Sequence, residues 1–290
     1  MQDTSLKSAV DARSLHGDRH PPAVHALLAM KAVVARELLK FARQWTRLVS
    51  ALVRPLLWLV VFSTGFRNVF GVAIVEPYDT YVPYDVYIAP GLVGMVLLFN
   101  GMQSSLSMVV DRELGVMRLL LTAPLPRAWL LLAKLVATAV LSLAQALVFV
   151  AVAVAIGTDL PWWGPHVPMA LLAMACTALM LGALGLMLSV SIRQLENFAG
   201  AMNFVIFPMY FLSTALYPLW KFQEADARWL LVAAQFNPFT HAVEWIRFAA
   251  HGKDPGMAPW VVLGCTLVFF AVACVGYDPQ RGLAPKRQGA

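Results

Sequence analysis

The chain has 290 residues, of which 60% are hydrophobic and only 13% are charged. A soluble domain carries about a quarter charged residues, so this composition excludes an ordinary soluble protein and indicates an integral membrane protein. The net charge of +6 would suggest nucleic-acid binding in a soluble protein. Here the Lys and Arg residues lie beside apolar segments, where such residues set the orientation in the membrane.

The chain begins with two segments that are too polar to cross a bilayer. Residues 1–22 are rich in charge, Ser and His, and they predict a flexible cytoplasmic tail. Residues 24–47 predict an amphipathic helix with one aliphatic and aromatic stripe and one basic stripe. The basic stripe comprises Arg36, Lys40, Arg43 and Arg47. A helix of this kind lies flat in the membrane interface.

Six apolar segments follow, and we predict that each crosses the membrane as a helix, because backbone groups in lipid need internal partners. The first span carries Arg54 about two turns in, and we expect its side chain to snorkel to the cytoplasmic surface. The fourth presents Ala178, Gly182 and Gly185 as a small-residue face for close helix contact. The predicted spans are 48–66, 88–110, 129–156, 167–192, 197–216 and 260–277.

The distribution of basic residues predicts the orientation of these spans. If both chain ends lie on the same side of the membrane, most of the 22 Lys and Arg residues fall in segments on that side, including the tail at 278–290. The segment 67–87 has a single Arg and several tyrosines, which suits the outer face. Because basic loops stay inside, we predict a six-span protein with both termini in the cytoplasm.

A charged segment, Asp111–Lys134, separates the second and third spans on the predicted cytoplasmic side. Within it, Arg112–Leu121 has apolar residues at helical spacing and predicts one short amphipathic helix. Pro124 and Pro126 then end that helix and turn the chain back toward the bilayer.

A second interruption, 217–259, separates the fifth and sixth spans. Asn237 and Pro238 suit the N-cap and the first position of a helix. The helix that follows carries Glu244 and Arg247, which lie three residues apart and can pair locally. Since neither piece of this interruption is long enough to span the membrane, we predict short half-helices that dip into the outer leaflet.

Several classes of function are disfavoured by missing motifs. No G-x-x-x-x-G-K-[ST] phosphate loop is present, so we do not expect this chain to hydrolyse ATP, and no H-E-x-x-H pair indicates a metalloprotease. The predicted spans hold no central Asp or Glu of the kind that ion-driven carriers use. We therefore expect a membrane protein that is not itself an enzyme and binds no cofactor directly.

The charged segment and the second interruption together resemble a known family. D-R-E-x-G-x-x-R-x-L-L-x-x-P-L-P-R, then L-S-T-A-L-Y-P-L and N-P-F-T-H-A-V-E-W-I-R, stand here in the order found in ABC type 2 exporter permeases. The likeness covers roughly residues 25–277. It implies an all-α transmembrane domain at 23–277 with an interfacial helix, a cytoplasmic coupling helix and outer half-helices.

The resemblance also implies partners and a location. Two permease copies, in a homodimer, would pair with two copies of a separate ATP-binding cassette subunit that binds ATP-Mg, in the bacterial inner membrane. Relatives export lipo-oligosaccharides such as nodulation factors, polysaccharide precursors and hydrophobic drugs. The coupling helix would contact the ATPase, with Arg112, Glu113, Gly115, Arg118, Leu121 and Pro124 as its expected functional residues.

In a two-fold dimer the substrate path would follow the symmetry axis, and polar and aromatic faces of the second and fifth spans are its expected lining. These faces comprise Phe99, Asn100, Gln103, Ser107, Asn203, Phe207 and Tyr210. Such a mixture suits an amphipathic or hydrophobic substrate. Hydrogen bonding between helices is an equal alternative role for any one of these polar residues.

The hypothesis is thus the permease subunit of an ATP-driven exporter. One alternative is a secondary carrier or channel that works without an ATPase, and another is a membrane scaffold that moves no substrate. The lining residues suit lipids, glycolipids and drugs alike, so they leave the identity of the substrate open.

Overall fold

The structure is a computed structural model that describes residues 27–39 except 29, 33 and 37, and residues 52–61, 76–78, 82–113, 127–158, 164–192 and 194–277. The described residues between 27 and 39 are all helical (α1), within the helix predicted for 24–47. The tails at 1–22 and 278–290 and most of the charged segment lie outside the described residues.

Helices make up most of the other described residues, and no strand is present among them, so the predicted all-α fold class is confirmed. After α1 they are α2 (Leu52–Val61), α3 (Tyr84–Glu113), α4 (Arg127–Ala155), α5 (Val167–Ser191), α6 (Leu195–Phe211), α7 (Leu219–Glu224), α8 (Arg228–Phe236), α9 (Pro238–Ala250) and α10 (Ala258–Gly276).

Four of the described helices, α3, α4, α5 and α10, are long and apolar enough to cross a membrane. They match the predicted second, third, fourth and sixth spans, and they indicate a multi-pass membrane protein. The predicted first span is described only over its α2 portion. The predicted fifth span ran to residue 216, but α6 ends at Phe211 and has 17 residues, fewer than the roughly 20 that a straight crossing needs.

Helix α5 lies at the centre of the bundle, where it contacts α3, α4, α6, α9 and α10. It carries no charged residue, so it can be surrounded by other helices without an unpaired charge. Its predicted small-residue face is confirmed. A Cβ at Gly185 would lie 2.7 Å from the carbonyl oxygen of Gly101 on α3, and one at Gly182 would lie 2.9 Å from Leu135 on α4.

Helix α3 extends beyond the predicted second span at both ends. It begins at Tyr84, inside the predicted outer loop, and it continues to Glu113, inside the charged segment. Tyr84, Tyr87 and Gly91 therefore lie on one helical face, at spacings of three and four residues. At 30 residues the helix is about 45 Å long, so its ends reach past the hydrocarbon core.

The contact between α3 and α5 predicts a position-specific effect of adding one methyl group. Gly185→Ala should lower the free energy of unfolding by about 1–3 kcal/mol, because the new Cβ meets the Gly101 backbone and cannot be accommodated without movement. Gly264→Ala on α10 is the matched control, since its Cβ would meet nothing within 4 Å.

Thermal unfolding of both purified variants in the same detergent measures the difference. The control should unfold at or slightly above the wild-type temperature, because alanine favours a helix over glycine by up to ~1 kcal/mol. Equal shifts for the two variants would contradict the close packing of α3 on α5.

Candidate functional site

A pocket of about 140 Å³ lies between α2, α3 and α6, and we refer to it as the aromatic pocket. Its wall includes Phe99, Phe207 and Tyr210, three residues predicted for a substrate path, so the structure brings those faces of α3 and α6 together. Among the described residues, the lining consists of Arg54 and Trp58 from α2, Met95 and Phe99 from α3, and Ile206, Phe207, Tyr210 and Phe211 from α6.

Aromatic rings in the pocket wall hold one another in place. Phe207 stacks on Phe211 with ring centroids 6.2 Å apart, and Trp58 meets Phe211 edge-on at the same separation. Tyr210 is 1% exposed, whereas Phe207 is 50% exposed. The wall thus combines a buried ring that fixes its shape with an open ring that a ligand can reach.

Arg54 of α2 contacts an aromatic ring of α3. Its guanidinium carbon lies 4.2 Å from the ring centroid of Phe99, which stands near the middle of α3. The cation–π attraction of this ring offers the guanidinium a partner within the protein. The expectation that the side chain snorkels to the cytoplasmic surface stays a prediction. Arg54 remains exposed.

The other four predicted path residues do not line the aromatic pocket. Ser107 donates a hydrogen bond to the carbonyl of Ser104 in its own helix at 2.7 Å, and Asn203 is exposed. Asn100 is 8% exposed, while Gln103 is partly buried. The polar run on α3 thus continues along the helix away from this pocket, and its predicted role stays a prediction.

The turn at residues 212–217, which follows α6, is attached to two other helices. Asn237 is the N-cap of α9, where its side chain accepts a hydrogen bond from Phe239 N at 3.0 Å, and Pro238 is the first residue of that helix. The same Asn237 side chain donates to the carbonyls of Met209 at 2.7 Å and Leu212 at 2.8 Å. One residue therefore caps α9 and satisfies the end of α6.

Arg247 on α9 also supports this turn. Its guanidinium is 2% exposed and donates to Glu244 and, at 2.9 Å, to the carbonyl of Thr214. Its carbon lies 4.2 Å from the ring centroid of Tyr87 on α3. Burial alone would lower the pKa of Arg247, but the Glu244 carboxylate and the hydroxyls of Tyr87 and Tyr78 together outweigh it and raise the pKa above its ordinary value. The arginine therefore stays charged.

Two tyrosines of α3 complete the attachment of the 212–217 turn. Tyr84 donates to the carbonyl of Leu216 at 2.9 Å, and Tyr87 donates to that of Thr214 at 3.2 Å. Gly91 lets the turn approach, since a Cβ there would lie 2.7 Å from Ala215 Cα. Sequence reasoning missed this role and assigned the tyrosines to an outer loop, although their spacing with Gly91 was a usable signal.

Among the predicted coupling residues, Glu113 has a described partner. It is the last residue of α3, and its carboxylate accepts a hydrogen bond from Leu195 N, the first residue of α6, at 2.9 Å. The N-cap residue of α6, Gln194, makes no side-chain capping bond, so Glu113 fills that role from another helix. The backbone of Arg112 belongs to α3, and the others (Gly115, Arg118, Leu121 and Pro124) lie outside the described residues.

Two i,i+3 ion pairs in this region are expected to differ in how much their loss lowers the free energy of unfolding. Arg247→Met should lower the free energy of unfolding by about 3–5 kcal/mol, because it breaks a buried pair and removes a donor to the Thr214 carbonyl. Lys221→Met breaks the exposed Lys221–Glu224 pair and should change it by less than ~1 kcal/mol. Chemical denaturation in mixed micelles compares the two, and similar losses would contradict the structural role of Arg247.

Comparison with known proteins adds a family to this geometry. The family model described as "ABC-2 type transporter" matches residues 29–250. A proposed transport permease, ycf38, of Porphyra purpurea is 28% identical over 226 residues, which cover 78% of this chain and 75% of that protein. The ycf38 of Cyanophora paradoxa is 30% identical over 223 residues, which cover 74% of this chain and 72% of the relative. Since the family model covers more than half of the sequence, the chain belongs to the ABC-2 type transporter family and is a transport permease of that family.

Proposed function

We propose that this chain is the permease subunit of an ATP-driven exporter, and that a separate cassette subunit binds and hydrolyses ATP. The observation that carries the proposal is the aromatic pocket. In this pocket, the faces of α3 and α6 that were predicted to line a substrate path meet. The chain also belongs to the ABC-2 type transporter family. Its open aromatic rings suit an amphipathic or hydrophobic substrate.

In this proposal α2 and α6 belong to the first and fifth spans, which makes six spans with both termini in the cytoplasm. The excess of Lys and Arg in the segments assigned to the cytoplasm supports that orientation. Two copies of the chain would form a homodimer in the cytoplasmic membrane, with one ATPase subunit bound to each.

Glu113 offers a route from the ATPase to the aromatic pocket. It ends α3 and is the second residue of Arg112–Leu121, the predicted coupling helix that we assign to ATPase contact. Its hydrogen bond to Leu195 N joins that point to the start of α6. A push on the charged segment would then move α3 and α6 together, as rigid elements. Both helices form walls of the pocket and α2 forms the third wall. A movement of α3 and α6 relative to α2 would therefore change the shape of the pocket during the nucleotide cycle.

The class of function is tested by purifying the full chain with candidate ATP-binding cassette subunits from the same genome. The proposal expects a stable complex and substrate efflux that requires ATP hydrolysis in reconstituted vesicles. Efflux that continues without ATP would instead indicate a secondary carrier or channel.

One prediction concerns the coupling of ATP hydrolysis to transport. Glu113→Ala should lower ATP-driven transport about fivefold while the complex with the ATPase still forms, because the lost capping bond is worth about 1 kcal/mol. Glu196→Ala is the matched control, since Glu196 is an exposed carboxylate in the first turn of the same α6. Transport per ATP hydrolysed is the measurement. The coupling route is wrong if both variants lose the same amount.

Another prediction concerns the wall of the aromatic pocket. Phe207→Ala should raise the substrate concentration for half-maximal stimulation of ATPase activity about tenfold, because it removes a ring that a ligand can bury. Phe204, three residues earlier on α6, is 80% exposed and does not line the pocket. Phe204→Ala should leave that concentration unchanged. Equal shifts would place the substrate path elsewhere.

A further inference from the structure

The aromatic pocket contains one charged side chain among the described residues that line it. The other seven lining residues are aromatic, aliphatic or Met, whereas Arg54 contributes a guanidinium. An arginine within an apolar helix is costly unless it pairs with another group or faces a cavity. Arg54 does face the cavity, and it lies against Phe99 near the middle of α3.

The contact of Arg54 with Phe99 does not pair its charge with an anion. The guanidinium carbon lies 4.2 Å from the ring centroid, and the group carries five N–H donors in one plane, more than a single ring can accept. No ion pair between Arg54 and a described carboxylate is present. A planar donor edge of this kind matches a carboxylate or phosphate, which it can bind through two parallel hydrogen bonds.

The size of the pocket limits what can accompany an acidic group. At about 140 Å³ it resembles the ~150 Å³ apolar cavity that holds benzene in another protein. It can therefore take an acidic head and the ring or short alkyl segment next to it. Because Phe207 is half exposed, a longer apolar tail can extend past it toward lipid.

We infer that the aromatic pocket binds the acidic head of an anionic amphiphile, with Arg54 as the anion-binding residue and the rings of α6 around the apolar part. This inference rests on the proposed function and names the substrate class of the same site. The structural alternative is that Arg54 only attaches α2 to α3 through Phe99, and that alternative predicts no preference for charge.

The test uses the full-length permease without an ATPase, in nanodiscs of phosphatidylcholine. The probe is 4-octylbenzoate with a photoactivatable diazirine in its tail, and labelled peptides are mapped by mass spectrometry. Unlabelled 4-octylbenzoate, the neutral 4-octylbenzamide and the cationic 4-octylbenzylamine compete with it. We expect labels on α2, α3 and α6. The benzoate should compete at about tenfold lower concentration than the benzamide, and the amine should compete least.

Three variants assign that preference to Arg54. Arg54→Gln should abolish the difference between benzoate and benzamide, and Arg54→Lys should keep part of it, because lysine retains the charge but not the planar fork. Arg228→Gln, which removes an exposed cation from α8, should keep the full difference. If Arg54→Gln does not fold, the competition on the wild-type protein still distinguishes the anion site from the structural alternative.

Equal competition by benzoate and benzamide, labels outside the three helices, or a preference that survives Arg54→Gln would each overturn the inference. Adding phosphatidylglycerol to the nanodiscs identifies the source of the anion. If this lipid displaces the probe, the pocket takes a membrane lipid, and if it does not, the pocket takes a separate cargo molecule. Either result supports an anion site.

The proposed function is tested separately by ATP-driven transport in the complex with the ATPase. Charge preference in the permease without any ATP-dependent transport would overturn the proposed function and leave the anion site. ATP-driven export of a neutral amphiphile, together with equal competition in the nanodiscs, would overturn the anion site and leave the proposed function.

Discussion

Buried backbone carbonyls need hydrogen-bond partners within the protein, and this requirement applies where α6 ends, because residues 213–216 are buried. Beyond Phe211 the chain turns instead of continuing the helix, so its last carbonyls would have no partners. Side chains from elsewhere supply them. Asn237 donates to the carbonyls of Met209 and Leu212, Arg247 donates to that of Thr214, and Tyr84 donates to that of Leu216. The short α6 is therefore possible because α3 and α9 satisfy the turn that follows it.

This arrangement also positions the aromatic pocket. At one end α6 is held to α3 through the 212–217 turn, and at the other end it is held to α3 by the bond from Leu195 N to Glu113. The segment of α6 that carries Phe207, Tyr210 and Phe211 lies between these attachments and faces Phe99. The two helices are therefore joined at both ends, and in the proposed function a displacement of α3 would be shared by α6 and would change the pocket on its α2 side.

Periodicity and composition were sufficient for the long helices. The predicted third, fourth and sixth spans agree with α4, α5 and α10 within two residues at each end. Each is an uninterrupted apolar run bounded by polar, Gly or Pro residues, and such boundaries define where a helix begins and ends. The same reasoning extended the fifth span to residue 216, five residues too far. Hydropathy measures how apolar a segment is, and Leu212–Leu216 is mostly apolar. It does not report that remote donors allow the helix to stop earlier.

Local chemistry in the sequence determined the helical fold, the small-residue face of α5, the Asn237–Pro238 start of α9 and the pairing of Glu244 with Arg247, since each depends on residues within a few positions of one another. Tertiary structure alone decided the partners that are far apart. Arg247 reaches Thr214 across 33 residues, and Tyr84 reaches Leu216 across 132. It also placed Arg54 on Phe99 and selected Phe99, Phe207 and Tyr210 as a common wall. These contacts depend on how helices pack against each other, and a helical periodicity defines which face a residue occupies but not which helix that face meets.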